Sequence, residues 1–190
     1  EVRIAPISED SITRVDQVSW QEIGQMGEVC VYSETVTPEY IGMKDKTDLA
    51  KIKDPRGGLW HRMGDLGYLD QEGRLWFCGR LTHRLYVEGE ALPCIPQESI
   101  YNEHTMIKRC AFIGPVIEGA THPTLIVQPK NKLSPQERHL LTEHILSLDK
   151  KNNNLLKQVI YTKKLPVDVR HNIKIDRVKL KQEVERGNLS

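Results

Sequence analysis

Between residues 67 and 78 the chain specifies a structural element almost unaided. Gly67-Tyr68-Leu69-Asp70 leads into a polar corner, Gln71-Glu72-Gly73, and then into Arg74-Leu75-Trp76-Phe77-Cys78. Two aromatic-bearing runs joined by a short turn predict a β-hairpin, with Gly73 at the corner where the backbone must turn left-handed. A second, shorter hairpin is predicted around Glu88-Gly89-Glu90. Between the two hairpins lies Gly79-Arg80-Leu81-Thr82, and the domain boundary is placed there, giving residues 1–79 and 80–190. Upstream, Val2-Arg3-Ile4 and Glu28-Val29-Cys30-Val31-Tyr32 read as strands, so the first part is β-rich. The charged stretch from Lys44 to Arg56 reads as a long loop, with a short helix beginning at a Thr47 cap.

Downstream the pattern changes. Residues 96–104 predict a helix, residues 109–114 and 124–127 predict strands, and Ser134-Pro-Gln-Glu137 is a capping box opening a helix to about Ser147. Asn152-Asn153-Asn154 is a polar break, residues 158–162 predict a strand, and residues 176–186 predict a final helix stopped by Gly187. The expected class is α+β.

Charge and cysteine content narrow the function. Lysine and arginine total 27 against 26 acidic residues, a formal net charge of +1, so no strong field exists to steer nucleic acid. The four cysteines, Cys30, Cys78, Cys94 and Cys110, form no CxxC pair and have no histidine at zinc-ligand spacing. They read as reduced, buried thiols, which makes the cytoplasm the expected compartment. No apolar run reaches membrane-spanning length. The opening Glu-Val-Arg-Ile-Ala-Pro has neither a starting methionine nor a signal-peptide stretch, so the chain is expected to be a piece of a longer protein. Trp20, Trp60 and Trp76 read as core or loop anchors, and His61 and His171 as packing or polar contacts.

One composite carries chemistry. His61-Arg62-Met63-Gly64-Asp65-Leu66-Gly67-Tyr68, the hairpin, and Trp76-Phe77-Cys78-Gly79-Arg80 follow each other in order. Alone, a Gly-Asp turn beside a hairpin reads as structure. The composite resembles the ribose-binding signature of the AMP-forming ligase superfamily, which includes acyl-CoA synthetases, luciferases and adenylation domains. The resemblance implies that Asp65 accepts hydrogen bonds from the ribose hydroxyls of ATP, a task for an acceptor-only carboxylate, and that Arg80 also reaches the ribose. Gly27-Glu28-Val29-Cys30-Val31, with Val36 and Tyr40, is similar to a segment of the small β subdomain that closes the family's large N-terminal domain. Residues 1–79 would then be the end of that domain, and residues 80–190 the C-terminal lid.

The same resemblance assigns further positions. The hinge residue, usually Asp or Lys, lies two positions after the arginine and is Thr82 here. Gly89 corresponds to a glycine lining the pantetheine channel in thioester-forming members, whereas Ala91 stands where many relatives carry arginine. Leu165-Pro166 through Lys174-Ile175-Asp176-Arg177 resembles the segment bearing the catalytic lysine, which makes Lys174 the catalytic candidate. There, Ile173 replaces the family's glycine, and the spacing from Pro166 is longer than usual. Read without the upstream motif, this region is a solvated basic stretch. The pattern is nearest to the branch that includes olefin-pathway β-lactone synthetases.

The family's phosphate loop and its aromatic-Gly-x-Thr-Glu segment are absent from these residues. The expected unit is therefore the last third of an ATP- and Mg2+-dependent carboxylate-activating ligase, inactive alone, with its Mg2+ site outside the chain. The partner would be the missing N-terminal AMP-binding domain. The substrate would be a fatty or β-hydroxy acid, with transfer to CoA or, alternatively, cyclisation to a β-lactone. A second class remains open: a binding module that uses the fold without catalysis.

Overall fold

A computed structural model describes residues 1–152, 154–168 and 174–189. Its contacts divide the chain into two compact units, Glu1–Thr82 and His83–Ser190.

The first unit is an antiparallel sheet. Strands β1 (Val2–Ala5) and β2 (Gly27–Tyr32) pair with each other, and β2 then pairs with the long β4 (Leu59–Leu69). The far edge of β4 is shared by β3 (Lys51–Lys53) at one end and β5 (Leu75–Arg80) at the other. Trp60, Ile52, Cys30 and Ala5 form the core, with Trp20 packed 4.8 Å from Trp60 between ring centroids. The 67–78 hairpin forms as expected. Gly73 has φ 74°, and Asp70 fastens the corner by accepting from the backbone N–H groups of Glu72 and Arg74, from Arg74 Nε and from Trp76 Nε1. Trp76 therefore anchors a loop while half of it stays exposed. In the charged stretch the expectation needs correcting. Helix α1 (Lys44–Ala50) begins at a Met43 cap, and Thr47 lies inside it, its hydroxyl donating back to the Met43 carbonyl. A threonine hydroxyl can bond the carbonyl one turn back as readily as it caps, so Thr47 did not fix the helix start.

In the second unit, β6 (Leu85–Val87) and β7 (Glu90–Leu92) make the short hairpin. Helix α2 (Cys94–Asn102) comes next, then β8 (Ile107–Ile113), a small hairpin of β9 (Val116–Ile117) and β10 (Ala120–Thr121), and β11 (Thr124–Pro129). Helix α3 (Pro135–Asn152) connects β11 to the parallel strand β12 (Gln158–Tyr161), and α4 (Arg177–Glu185) closes the chain. The sheet order is β12-β11-β8. Strand alternation splits its side chains cleanly: Cys110, Phe112, Leu125 and Val127 face one core with Leu141 and Ile145 of α3, while Ala111, Ile113 and Ile126 face another with Leu180 and Val184 of α4. Each large side chain so buried contributes about 1.5–3 kcal/mol.

The Ser134–Glu137 capping box is present, and α3 runs five residues past the expected end, to Asn152. The chain leaving this helix is tied down by buried Asp149, whose carboxylate accepts from the N–H groups of Leu155 and Leu156 and from the Tyr101 hydroxyl. All four cysteines are buried and free. His171 and Ile173 lie outside the described residues.

Candidate functional site

Asp65 sits in the middle of β4, directly opposite Arg80 at the end of β5. The pairing places Arg80 Nη1 3.0 Å from Asp65 Oδ1, and the same nitrogen lies 3.4 Å from the Met63 carbonyl. The contact is an ion pair, and this buried oxygen has no hydrogen-bond partner among the described residues. A partly exposed carboxylate with unused acceptor capacity beside a half-exposed guanidinium is suited to receive hydroxyl donors.

Asp65 is held from behind. Glu28 on β2 accepts the N–H of Gly64 at 3.1 Å and Arg62 Nε at 2.7 Å. Arg62 also donates to the carbonyls of Ser8, Asp10 and Leu49. Both side chains are about 95% or more shielded from solvent, so the pair is held by fully made hydrogen bonds rather than by charge attraction alone. The backbone on the N-terminal side of Asp65 is thus pinned through Glu28. Next to this network, His61 places Nδ1 3.2 Å from the Ala50 carbonyl, and burial pushes its pKa down.

Thr82 is the last residue of the first unit, which also contains Arg80, and is the exposed middle residue of a short 3-10 turn, Leu81–His83. Gly89 is the second corner residue of the β6–β7 hairpin, with φ 87°, after Glu88 at φ 52°. Two successive left-handed residues are the geometry of a tight I′ corner. A Cβ at Gly89 would meet nothing within 4 Å, so within this unit the turn accounts for the glycine and no close approach is needed.

Lys174 is exposed and lies at the end of a small two-stranded clasp. Its carbonyl accepts from Asp168 N–H at 2.9 Å, Ile175 bridges Val167, and Asp176 N–H donates to the Pro166 carbonyl at 3.0 Å. Asp176 then caps α4 by accepting Lys179 N–H. Leu165 and Ile175 pack on the core beneath α4, which fixes the clasp to the unit.

Sequence reasoning passed over four charged residues: Glu28 and Arg62 as a pair, and Glu98 with Arg177. Arg177 Nη2 lies 2.6 Å from both carboxylate oxygens of Glu98, and Phe112 N–H donates to Oε1 at 2.8 Å. The available signal was the helical stripe: Glu98 stands four residues after buried Cys94 and three before buried Tyr101, on the inward face of α2. Burial raises the Glu98 pKa against the opposing pull of Arg177, and it raises the Cys94 thiol to about 12. At that pKa the Cys94 thiol is neutral and unreactive.

A cavity of about 830 Å3 in the second unit is lined by Pro129, Lys132, Leu133, Arg138, Tyr161 and Lys163, among others, and contains neither Gly89 nor Lys174. No group of three or more His, Cys, Asp or Glu residues that could hold a metal ion occurs among the described residues, and none of their helices is long and apolar enough to cross a membrane.

A paired Asp and Arg in a β-rich unit, followed by an α+β unit bearing a clasped lysine, is the arrangement to be set beside known proteins. The chain's homologues are AMP-forming ligases and their relatives. It is 35% identical over 186 residues to an olefin β-lactone synthetase of Xanthomonas campestris, covering 95% of this chain and 34% of that protein. It is 28% identical over 162 residues to a 2-succinylbenzoate–CoA ligase of Listeria monocytogenes, covering 85% of this chain and 32% of the relative. The chain spans about a third of the length of the curated relatives it matches. Among solved structures, the amide bond synthetase McbA from Marinactinospora thermotolerans superposes with a TM-score of 0.75 at 24% identity, covering 96% of this chain and 34% of that one. The anthranilate CoA ligase AuaEII in complex with anthranoyl-AMP gives 0.77 at 21% identity, covering 98% and 34%. These two show the fold. No family model matches the chain.

Proposed function

We propose that this chain is the C-terminal third of an ATP-dependent ligase that converts a carboxylate to an acyl-adenylate and pyrophosphate. The observation that carries the reading is the Asp65–Arg80 pair, a partly exposed carboxylate set against a guanidinium in register across β4 and β5. Asp65 would accept the ribose hydroxyls of ATP, Arg80 would flank them, and Lys174 would place positive charge at the reacting carboxylate and α-phosphate. Thr82 would serve as the hinge between the units, and Mg2+ would be held by the N-terminal domain of the longer protein.

For the second half-reaction we favour attack by the substrate's own β-hydroxyl, giving a β-lactone and AMP. Its support is the 35% and 34% identity, over 95% of the chain, to two olefin β-lactone synthetases. Transfer to CoA is the second reading, supported by the CoA ligase relatives. Gly89 does not separate them, because its corner demands glycine in either case. The deciding experiment supplies the full-length protein with ATP and a β-hydroxy acid, with and without CoA. Lactone and AMP formed without CoA support cyclisation. AMP release that requires CoA supports thioester formation, and the absence of carboxylate-dependent AMP release would sink both readings and favour a binding module.

A further inference from the structure

A lysine that must meet a reacting phosphate does little from an exposed, wandering backbone, so whatever fixes the Lys174 backbone matters to its chemistry. The clasp with residues 166–168 fixes it on one side. On the other side the chain enters α4 at once, and the first residue of that helix, Arg177, reaches across to α2. Its Nη2 lies 2.6 Å from both oxygens of Glu98, whose own position is set by Phe112 N–H from the central sheet and by the Cys110 thiol on its backbone carbonyl. The Glu98 and Arg177 side chains are 8% and 13% exposed. Three residues span at most about 10 Å, so this clamp bounds where the Lys174 backbone can lie.

The clamp is also incomplete in an informative way. Among the described residues Arg177 Nε has no hydrogen-bond partner, and neither do Nε and Nη2 of Arg109, a second guanidinium whose charge acts on the same carboxylate from β8. Arg62 in the first unit, by contrast, has a partner for every nitrogen. A buried guanidinium on one carboxylate, with donors left over beside it, is a poor way to maximise stability. It does fix one point of the chain, the start of α4, from a rigid strand and helix.

We propose that Arg177, clamped by Glu98, is a positioning residue that sets the Lys174 ammonium for the adenylation step. This role rests on Lys174 being the catalytic lysine. The test uses the full-length protein and carboxylate-dependent ATP–pyrophosphate exchange, with kcat, the KM for ATP and the unfolding midpoint measured for Arg177→Lys, Glu98→Gln, Lys174→Ala and the Arg177→Lys/Lys174→Ala double variant. Arg177→Lys keeps the charge and loses the planar fork. It should lower kcat about tenfold or more, leave the KM for ATP within about twofold, and keep the unfolding midpoint near that of the parent. On the Lys174→Ala background the same substitution should cost less than about twofold, because it acts through the missing ammonium. Glu98→Gln should lower kcat with the KM for ATP little changed, though it costs stability by leaving Arg177 without its carboxylate, and so guards against a local effect of the new lysine. A normal kcat in folded Arg177→Lys, alongside a slow Lys174→Ala, would overturn the positioning role and leave the reading of Lys174 standing. Full multiplication of the two effects would do the same. A Lys174→Ala protein that exchanges normally would overturn both.

Discussion

In the first unit Arg62 divides its guanidinium between one carboxylate and three backbone carbonyls, whereas in the second the carboxylate that Arg177 meets among the described residues, Glu98, is held through Nη2. Each pair stands directly behind a site candidate: Glu28 holds the N–H before Asp65, and Arg177 begins the helix after Lys174. The difference matches what each site would have to do in the proposed roles. A binding carboxylate gains from a backbone that never moves, because every degree of freedom it keeps is lost again on binding. A catalytic lysine needs one well-set anchor point beside a long side chain. On the proposed roles the first pair would be integral to folding, and the second would mainly set geometry.

That contrast can be broken most forcefully by replacing each pair with neutral and apolar side chains. Glu28→Gln with Arg62→Met removes the partner of three carbonyls and should cost about 3 kcal/mol or more, read from urea unfolding of the chain. Glu98→Gln with Arg177→Met should cost only about 1 kcal/mol, since Arg177 Nε is already unmatched and the amide oxygen of the introduced glutamine can still accept Phe112 N–H. Equal costs would remove the distinction. A smaller effect tests the corner of the β6–β7 hairpin: Gly89→Ala, at φ 87°, should destabilise the second unit by about 1 kcal/mol, checked by thermal unfolding.

The smallest effect is a pH dependence in the first unit. Asp54 accepts from Arg56 and from Trp60 Nε1, and the hydrogen bonds from Arg56 hold its pKa below the ordinary 3.8. A carboxylate with a lowered folded pKa stabilises the fold above that ordinary value and loses the contribution as pH falls through the folded pKa. The gap in melting temperature between parent and Asp54→Asn should be widest above about pH 4 and narrow steadily as pH falls below it.

Local chemistry was legible in the sequence. Gly73 with the flanking aromatic runs and the Ser134–Glu137 box are short-range patterns, and each appears where expected, while Asp65 and Arg80 prove to be partners across β4 and β5. The supports behind the site were not legible. Glu28 and Arg62 lie 34 positions apart, and Glu98 and Arg177 lie 79 apart, so their pairing follows from the strand order and from where α2 and α4 sit on the sheet. The start of α1 was misread because Thr47 can serve a helix interior as well as a cap, and β3 was missed because three residues carry too little alternation to be read. The β9–β10 hairpin escaped for the same reason, its strands being two residues each.

Labour is divided between the units if Asp65 binds nucleotide and Lys174 speeds its chemistry. Steady-state pyrophosphate exchange by the full-length Asp65→Ala and Lys174→Ala proteins, run side by side, tests this directly. Asp65→Ala should raise the KM for ATP about tenfold or more, and Lys174→Ala should lower kcat about a hundredfold with the KM for ATP little changed. Exchange that survives both substitutions, or a Lys174→Ala defect confined to the KM for ATP, would contradict that division.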